Sequence, residues 1–176
     1  HQAPINEVHI AHEYNPQKYL AAIRRCYENA PMLDMLLPPI QDAAYRAAKH
    51  RLLLDFNLDL SGVLMQYLGA QAVILLASSL PDACMHGGTS EKLVSMCSAI
   101  NANTYVCGEG STAYLDFDAF APSGIAVKLL QYTPPTPAAL PHFSALHLCM
   151  HYPPSQAKQM ILSAAKTVTP QMLTHG

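Results

Sequence analysis

The feature that most constrains the fold is a change in the hydrophobic pattern at Gly69. Before it, apolar residues recur at intervals of three and four, which is typical of amphipathic helices. After it, the continuous apolar run from Ala72 to Ala77 is typical of a strand that is buried on both faces. Two further strands are predicted, near 104–107 and 125–132, each preceded by a helical stretch. This alternation predicts an α/β fold with a small, mostly parallel sheet flanked by helices.

The N-terminal half is predicted to be rich in helices. Asn15 suits an N-cap and Pro16 suits the first helical turn, so the first helix is expected to begin there. A later helix, capped by Asn57 or Asp59, is expected to end at Gly69. The predicted elements outside the sheet are a short strand over 5–10 and helices over 16–30, 33–54, 60–68, 144–151 and 155–165.

Composition limits the class of protein. The chain has 176 residues, is 51% hydrophobic and is only 12% charged, so it is not a disordered chain. Ten basic and twelve acidic residues give a net charge of −2, which excludes the basic field that binds nucleic acid. A surface with so few charges predicts exposed apolar patches, and hence a homo-oligomer or a partner chain.

Cysteine usage and apolar runs bear on the compartment. The five cysteines are odd in number and form no CxxC pair, so a disulfide framework is not expected. Free cysteines are typical of a reducing compartment, and we therefore expect a cytoplasmic location. No apolar run reaches the length of a membrane-spanning helix. The chain begins with His1 and shows no signal-peptide pattern, and we expect residues 1–176 to be a single α/β domain that is incomplete at its N-terminus.

Small polar residues cluster where the predicted strands end. In a parallel sheet the loops after successive strands meet at one edge, where ligands bind. Glycine lets the backbone approach an anion closely, and a helix N-terminus offers N–H groups to it. The alternative is that these glycines only make turns. The predicted ligand-binding residues are Ser78, Ser79, Gly87, Gly88, Thr89, Gly108, Gly110, Ser111 and Tyr114, and a nucleotide or sugar nucleotide suits them.

Glu109 and Asp116 flank the second glycine loop and are the predicted catalytic residues. Either carboxylate can act as a general base or orient a hydroxyl group. Asp116 also suits a cap for the short helix that follows, and the sequence favours that alternative. Cys107, at the end of a predicted strand, is either an exposed nucleophile or, as is commoner, a small buried hydrophobe.

Two pairs of histidines have spacings that suggest a metal. His147 and His151 are four residues apart and would share one face of a helix, but no third ligand is evident. His9 and His12 would point to opposite faces of a strand. We therefore predict no metal site and expect these histidines to be surface or hydrogen-bonded core residues.

Short fragments along almost the whole chain resemble the WbqC-like family of bacterial proteins in their order and spacing. The clearest fragment is Thr104-Tyr-Val-Cys-Gly108, continuing through Tyr114-Leu-Asp116, Phe120 and Gly124-Ile125. The others are Ile5-Asn-Glu-Val8, Tyr27 with Ala30-Pro31, Asn57, Leu68-Gly69, Ser78-Ser79-Leu80, Glu91-Lys-Leu93 with Cys97, and finally Tyr132, Pro141, Ser144 and Leu146.

The resemblance implies a genetic context and an expected length. Family members are often encoded among genes for surface-polysaccharide (O-antigen) synthesis, and they usually carry an N-terminal third before the Ile-Asn-Glu-Val strand that is not seen here. Four positions depart from the family pattern. Asn15 and Tyr19 stand where relatives tend to have Trp and His, Thr89 stands where Lys is common, and His147 stands where Asp is expected.

Taken with the residues, the resemblance implies an enzyme, with a transferase as the expected class. It would act on an activated or nucleotide-linked small molecule in surface-glycan (O-antigen-type) or specialised-metabolite biosynthesis. The alternative is a non-catalytic binding or scaffold subunit of such a pathway. A metal-dependent hydrolase that uses His147 and His151 is the least favoured hypothesis. The sequence indicates no particular cofactor.

Overall fold

A computed structural model describes residues 3–133 and 144–170. The strands are β1 (Thr104–Gly108), β2 (Ala126–Tyr132) and β3 (Ala165–Val168). The α-helices are α1 (Pro16–Cys26), α2 (Leu33–His50), α3 (Leu53–Leu68), α4 (Thr89–Ala99), α5 (Ala145–His151) and α6 (Pro154–Ala164). Helices flank a small sheet with one parallel pair of strands, so the prediction of an α/β fold is confirmed.

The chain divides into two compact units. Of the described residues, 3–71 and 144–160 form what we call the helical unit. Residues 72–133 and 161–170 form what we call the sheet unit, and it contains every residue of the predicted ligand and catalytic sites.

The first helix of the helical unit begins as its sequence predicts. The Asn15 side chain accepts a hydrogen bond of 3.0 Å from the Lys18 backbone N–H, and Pro16 is the first helical residue. α1 ends at Cys26, before Pro31. Gly69 ends α3 with a φ of +61°, a conformation that favours glycine.

Two boundaries in the helical unit differ from the predictions. Residues 5–10 do not form a strand: Ile5–Glu7 is one turn of 3₁₀-helix, and only His9 makes an isolated bridge, to Leu52. The alternation of three apolar residues was too short to specify pairing. α3 begins at Leu53, ahead of the predicted caps Asn57 and Asp59, because Arg51 adopts a left-handed φ of 66° and ends α2 there.

The core of the helical unit lies between α1, α2, α3 and α5. Leu36 and Ile40 from α2 are almost fully buried, and so are Cys149 and Met150 from α5. α5 is also held by the Met32 backbone N–H, which donates to the Met150 carbonyl at 3.1 Å. Burial of this apolar stripe is what makes the helices stable together.

The sheet has the order β1-β2-β3. β1 and β2 are parallel, with Val106 opposite Lys128 and Cys107 opposite Leu129, which confirms the predicted strands near 104–107 and 125–132. β3 pairs antiparallel with β2, so the sheet is mixed. β3 is not predictable from the sequence, because its four residues follow α6 without a turn signal and continue the predicted helix over 155–165.

The predicted strand at 72–77 is wrong. Residues 72–76 have no regular secondary structure, and Ala77–Ser79 is a turn of 3₁₀-helix. The run is apolar yet exposed, with Val73 81% exposed. An apolar run indicates that burial of the segment would be favourable. Strand pairing also requires the edge of a neighbouring strand at hydrogen-bonding distance.

One face of the sheet is covered. Leu129 is fully buried, and Cys97 of α4 packs with Phe120 and Ile125 beneath the same face. Tyr105 stacks on Phe120 with ring centroids 5.1 Å apart. Side chains alternate between the faces of a strand, so Val106 and Leu130 point to the other face, where both are exposed.

Candidate functional site

The candidate site lies at the carboxyl ends of β1 and β2. α4 leads directly into β1 and packs on the sheet through Leu93, Val94 and Cys97, so its N-terminus points toward the carboxyl end of β1. After β1 the chain makes a 3₁₀-helix over Glu109–Ala113. Two of the predicted glycine loops therefore occupy the same end of the sheet.

A hydrogen bond connects these two loops. The Asp116 backbone N–H donates to the Ser90 Oγ at 2.9 Å, and Ser90 is a buried residue of the first turn of α4. This contact joins the first turn of α4, just after the Gly87-Gly88-Thr89 loop, to Asp116 at the end of the segment that leaves β1. Thr89 and Asp116 are thus brought close to each other. Gly108, Glu109, Gly110, Ser111 and Tyr114 follow one another on the turn after β1, and Gly87 and Gly88 lie on the loop before α4.

Glu109 is exposed and oriented by a neighbour. Its Oε1 accepts a hydrogen bond of 2.7 Å from Nε2 of Gln131, near the end of β2. The Thr112 hydroxyl donates to the Glu109 carbonyl at 2.8 Å and closes the turn. The carboxylate therefore projects from a turn fixed at both its backbone and its side chain.

Asp116 is used in part as a local cap. Its Oδ1 accepts a hydrogen bond of 3.0 Å from the Asp118 backbone N–H, at the first residue of the 3₁₀-helix Asp118–Ser123. This contact is consistent with the capping alternative. The catalytic assignment of Asp116 remains a prediction.

Ser111 and Tyr114 sit at the end of the turn after β1. Ser111 is buried, and its Oγ lies 3.4 Å from the Tyr114 hydroxyl oxygen. Tyr114 itself is 65% exposed, so much of its side chain is open to solvent. An exposed aromatic ring beside hydroxyl groups suits a ligand with an apolar face and polar edges.

The loop before α4 is closed by a capping interaction. Glu91 Oε2 accepts a hydrogen bond of 2.8 Å from the Gly88 backbone N–H. Gly87 has a φ of +93°, in the region that favours glycine. An anionic ligand at this helix N-terminus would meet the Glu91 carboxylate, which already uses the Gly88 donor.

Ser78 and Ser79 are not joined to the other candidate residues by any contact among the described residues. They lie in the Ala77–Ser79 turn, where the Ser79 hydroxyl donates to the Leu76 carbonyl at 2.7 Å. Both are exposed. Their displacement follows from the missing strand at 72–77, which would have delivered them to the edge of the sheet.

Cys107 lies in register with the fully buried Leu129 and faces the same side of the sheet. It is partly buried there. This position suits a packing residue better than an exposed nucleophile.

The histidine pair belongs to the helical unit. The rings of His147 and His151 are 4.4 Å apart, and Tyr27 lies 5.7 Å from the first. Burial, followed by the nearby charge of His151, lowers the pKa of His147 from its ordinary value of 6.5. In residues 3–133 and 144–170 no group of three or more His, Cys, Asp or Glu side chains is placed to hold a metal ion.

Two residues of the site were missed in the sequence. Ser90 was hidden inside a helix-start pattern, where a serine ordinarily caps its own helix. Gln131 gave a weaker signal, as a polar residue near the end of an otherwise apolar strand.

Comparison with known families agrees with the resemblance drawn from the sequence fragments. The WbqC-like protein family matches residues 1–159 of the 176-residue chain, and the chain therefore belongs to that family. No curated protein and no solved structure matches it. Within the described part of the chain, no helix has the length and apolar character needed to cross a membrane.

Proposed function

We propose that this WbqC-like protein is an enzyme of surface-glycan or specialised-metabolite biosynthesis, and that its sheet unit binds a nucleotide-linked small molecule. The observation that carries the proposal is the Asp116–Ser90 hydrogen bond, which joins two loops rich in Gly, Ser and Thr at one end of a parallel strand pair. Ligands of α/β sheets bind at that end. Family membership supports the biosynthetic context.

The groups around these loops match the parts of a sugar nucleotide. The hydroxyl groups of Thr89 and Ser111 suit the hydroxyl groups of a sugar. Gly110 has open space around the position that a Cβ would take, so a ligand can approach its backbone closely. The exposed ring of Tyr114 suits stacking against a base.

Glu109 is proposed as the general base of a transfer reaction. Its carboxylate would take the proton from an acceptor hydroxyl while that oxygen forms a bond to the activated carbon. The bond from that carbon to the phosphate oxygen breaks, and the nucleotide leaves with the bonding electron pair. Gln131 is a positioning residue in this step, since its amide holds Glu109 Oε1.

The binding part is tested with UDP-N-acetylglucosamine and GDP-mannose as probes, by calorimetry and thermal shift. At Gly108 and Gly110 no neighbouring atom lies within 4 Å of the position that a Cβ would take, so Gly108→Val and Gly110→Val should fold normally. We expect both variants to lose the shift that the parent shows, because the new side chains fill the ligand's approach. Gly62→Ala in α3, where space is equally open, is the control. Unchanged binding by both valine variants would reject this site.

The catalytic part is tested by Glu109→Gln, which keeps the size and the partner of the side chain. We expect this variant to bind the probes as the parent does and to lose product formation by about 10² to 10⁴-fold, the usual contribution of a general base. Product formation at the parental rate would show that Glu109 is not the general base.

A non-catalytic subunit is the second candidate, and one observation favours it. The outer face of the sheet exposes Val106, Leu130 and Tyr132, which are 51%, 39% and 46% exposed. Exposed apolar groups of this kind mark interfaces with a second copy or a partner chain. A dimer in light scattering that Leu130→Lys converts to a monomer would support the interface, whereas a monomeric parent at high concentration would count against it.

A further inference from the structure

The described sheet has two edge strands, and their chemistry differs. β3 forms one edge with only four residues, and one of them is the exposed Lys166. β1 forms the other edge with five residues, which include neither a charged residue nor a proline. Lysine, proline and short length are common means by which proteins keep an edge strand from pairing with another chain. β3 has two of these features, and β1 has none of them.

The backbone of β1 presents hydrogen-bonding groups at its outer edge. The Ala126 backbone N–H donates to the Asn103 carbonyl at 2.9 Å, and in a parallel ladder alternate residues point to opposite sides. The N–H and C=O groups of Thr104 and Val106, and the N–H of Gly108, therefore point away from β2. Within residues 3–133 and 144–170 these groups make no hydrogen bond to another backbone group. The edge is thus a template for a further strand.

The sequence of β1 suits a second copy of the same strand. Val106 is the middle one of the three residues that point outward, so a twofold axis at Val106 gives each of them a partner in an antiparallel pair. Val106 then lies opposite Val106 of the second copy, and Thr104 lies opposite Gly108 of that copy. These pairs are apolar or small and bring no like charges together. The net charge of −2 also causes little repulsion between two copies.

The side chains beside this edge gain apolar contact from such a pair. Leu130 is the neighbour of Gly108 in β2 and is 39% exposed on the outer face of the sheet. At Gly108 no atom lies within 4 Å of the position that a Cβ would take. The Thr104 side chain of the second copy can therefore lie over Gly108 and reach Leu130. Val106, which is 51% exposed, packs against its own counterpart.

We propose that β1 pairs antiparallel with β1 of a second copy, about a twofold axis at Val106, so that two three-stranded sheets become one continuous sheet. The contact uses the backbone edge of β1 and is different from packing of two outer faces against each other. It needs no ligand, so it is independent of the proposed nucleotide site.

Disulfide trapping tests the register of this pair. The variant is Val106→Cys, in a chain where Cys26→Ser and Cys107→Ala remove the other accessible thiols. Residues that exchange backbone hydrogen bonds in an antiparallel pair have Cα atoms about 5.5 Å apart, within the range of a disulfide. The control is Lys128→Cys in the same background, because Lys128 is the exposed partner of Val106 in β2. Its two copies would lie three strand spacings apart, roughly 14 Å.

We expect Val106→Cys to form a disulfide-linked dimer at least about tenfold faster than Lys128→Cys at the same protein concentration, on a non-reducing gel. Equal rates would overturn the proposal. Light scattering gives a second test in the chain with its natural cysteines. The parent and Val106→Thr should be dimers, whereas Val106→Lys, which places like charges opposite each other, should be a monomer. A monomeric parent, or a dimer that persists in Val106→Lys, would also overturn it.

Hydrogen exchange separates edge pairing from packing of the outer faces. In the proposed pair the Gly108 N–H donates to the Thr104 carbonyl of the second copy, whereas face packing leaves this N–H unpaired. We expect the Gly108 amide to exchange at least about tenfold more slowly in the parent dimer than in the Val106→Lys monomer, measured by NMR. Equal exchange rates would assign the dimer to the outer faces and overturn the edge pairing.

Discussion

The backbone N–H of Asp116 donates a hydrogen bond to the hydroxyl oxygen of Ser90 over 26 residues of sequence, at a donor–acceptor distance of 2.9 Å. Ser90 is buried in the first turn of α4, and Asp116 follows the turn that leaves β1. A serine at the start of a helix usually caps that helix, but here the Ser90 hydroxyl accepts a hydrogen bond from a second loop. It explains why the two glycine loops lie at the same end of the sheet.

Removal of the hydrogen bond between Ser90 and Asp116 should destabilise the sheet unit. Ser90→Ala leaves the Asp116 N–H without its acceptor in a partly buried position, which costs about 1–3 kcal/mol. We expect a corresponding fall in the free energy of unfolding, measured by urea titration. Ser98→Ala, at an exposed position of the same helix, is the control and should change stability by less than about 0.5 kcal/mol. Equal effects of the two substitutions would mean that the contact carries no stability.

The two glycines before α4 should respond differently to the same substitution. Gly87 has a φ of +93°, and a Cβ on it would collide with the Glu91 carboxylate that accepts from Gly88. Gly88 has an ordinary φ of −71°, and its Cβ would lie 3.8 Å from that carboxylate. Gly87→Ala should therefore cost about 1–2 kcal/mol, and Gly88→Ala less than about 0.5. Thermal unfolding of both variants gives the comparison, and a tolerated Gly87→Ala would contradict the strained geometry.

Local signals were sufficient to predict some of these elements. Asn15-Pro16 predicts the start of α1, because the residues that form the cap are neighbours in the sequence. β1 and β2 were predictable as a parallel pair, because the segment between them is long enough to cross the sheet and return.

The remaining elements depend on partners that are distant in the sequence. β3 forms because it pairs with the edge of β2, and the sequence of Ala165–Val168 does not indicate this pairing. Residues 72–76 show the converse, since their composition is typical of a strand but they are paired with no strand in the described structure. The loops of the candidate site were visible as clusters of Gly, Ser and Thr, but Ser90 and Gln131 join it through tertiary hydrogen bonds that no local pattern contains.

The cysteines should differ in reactivity toward a disulfide reagent. Burial raises the pKa of the Cys149 thiol to about 11, so at about pH 8 roughly one thiol in a thousand is the reactive thiolate. Cys26 is exposed. In a titration of the native protein we expect Cys26 to react first and Cys149 to react only after unfolding in concentrated guanidinium chloride. Cys107 is only partly buried, so Cys26→Ser combined with Cys107→Ala should abolish the fast phase. A fast phase that persists in this double variant would show that a buried thiol is accessible.

The partly buried His147 of α5 should make the stability of the chain depend on pH. The pKa of His147 is lowered in the folded state by burial and then by His151, so its neutral form is favoured there. Between this lowered pKa and the unfolded value of 6.5, the unfolded chain binds more protons than the folded one. The free energy of unfolding must then rise with pH through that window, and below the window both states carry the proton and this contribution no longer changes.

Urea titrations between about pH 5.5 and about pH 7.5 measure this slope. One proton gives at most about 1.4 kcal/mol per pH unit, and partial exposure of His147 makes the slope smaller. His147→Gln should flatten the profile, whereas His86→Gln, at an exposed position of the sheet unit, should leave it as in the parent. Because the readout is the slope and not the absolute stability, a general loss of packing in His147→Gln does not imitate the result. A profile as steep in His147→Gln as in the parent would show that His147 titrates alike in the folded and unfolded chains.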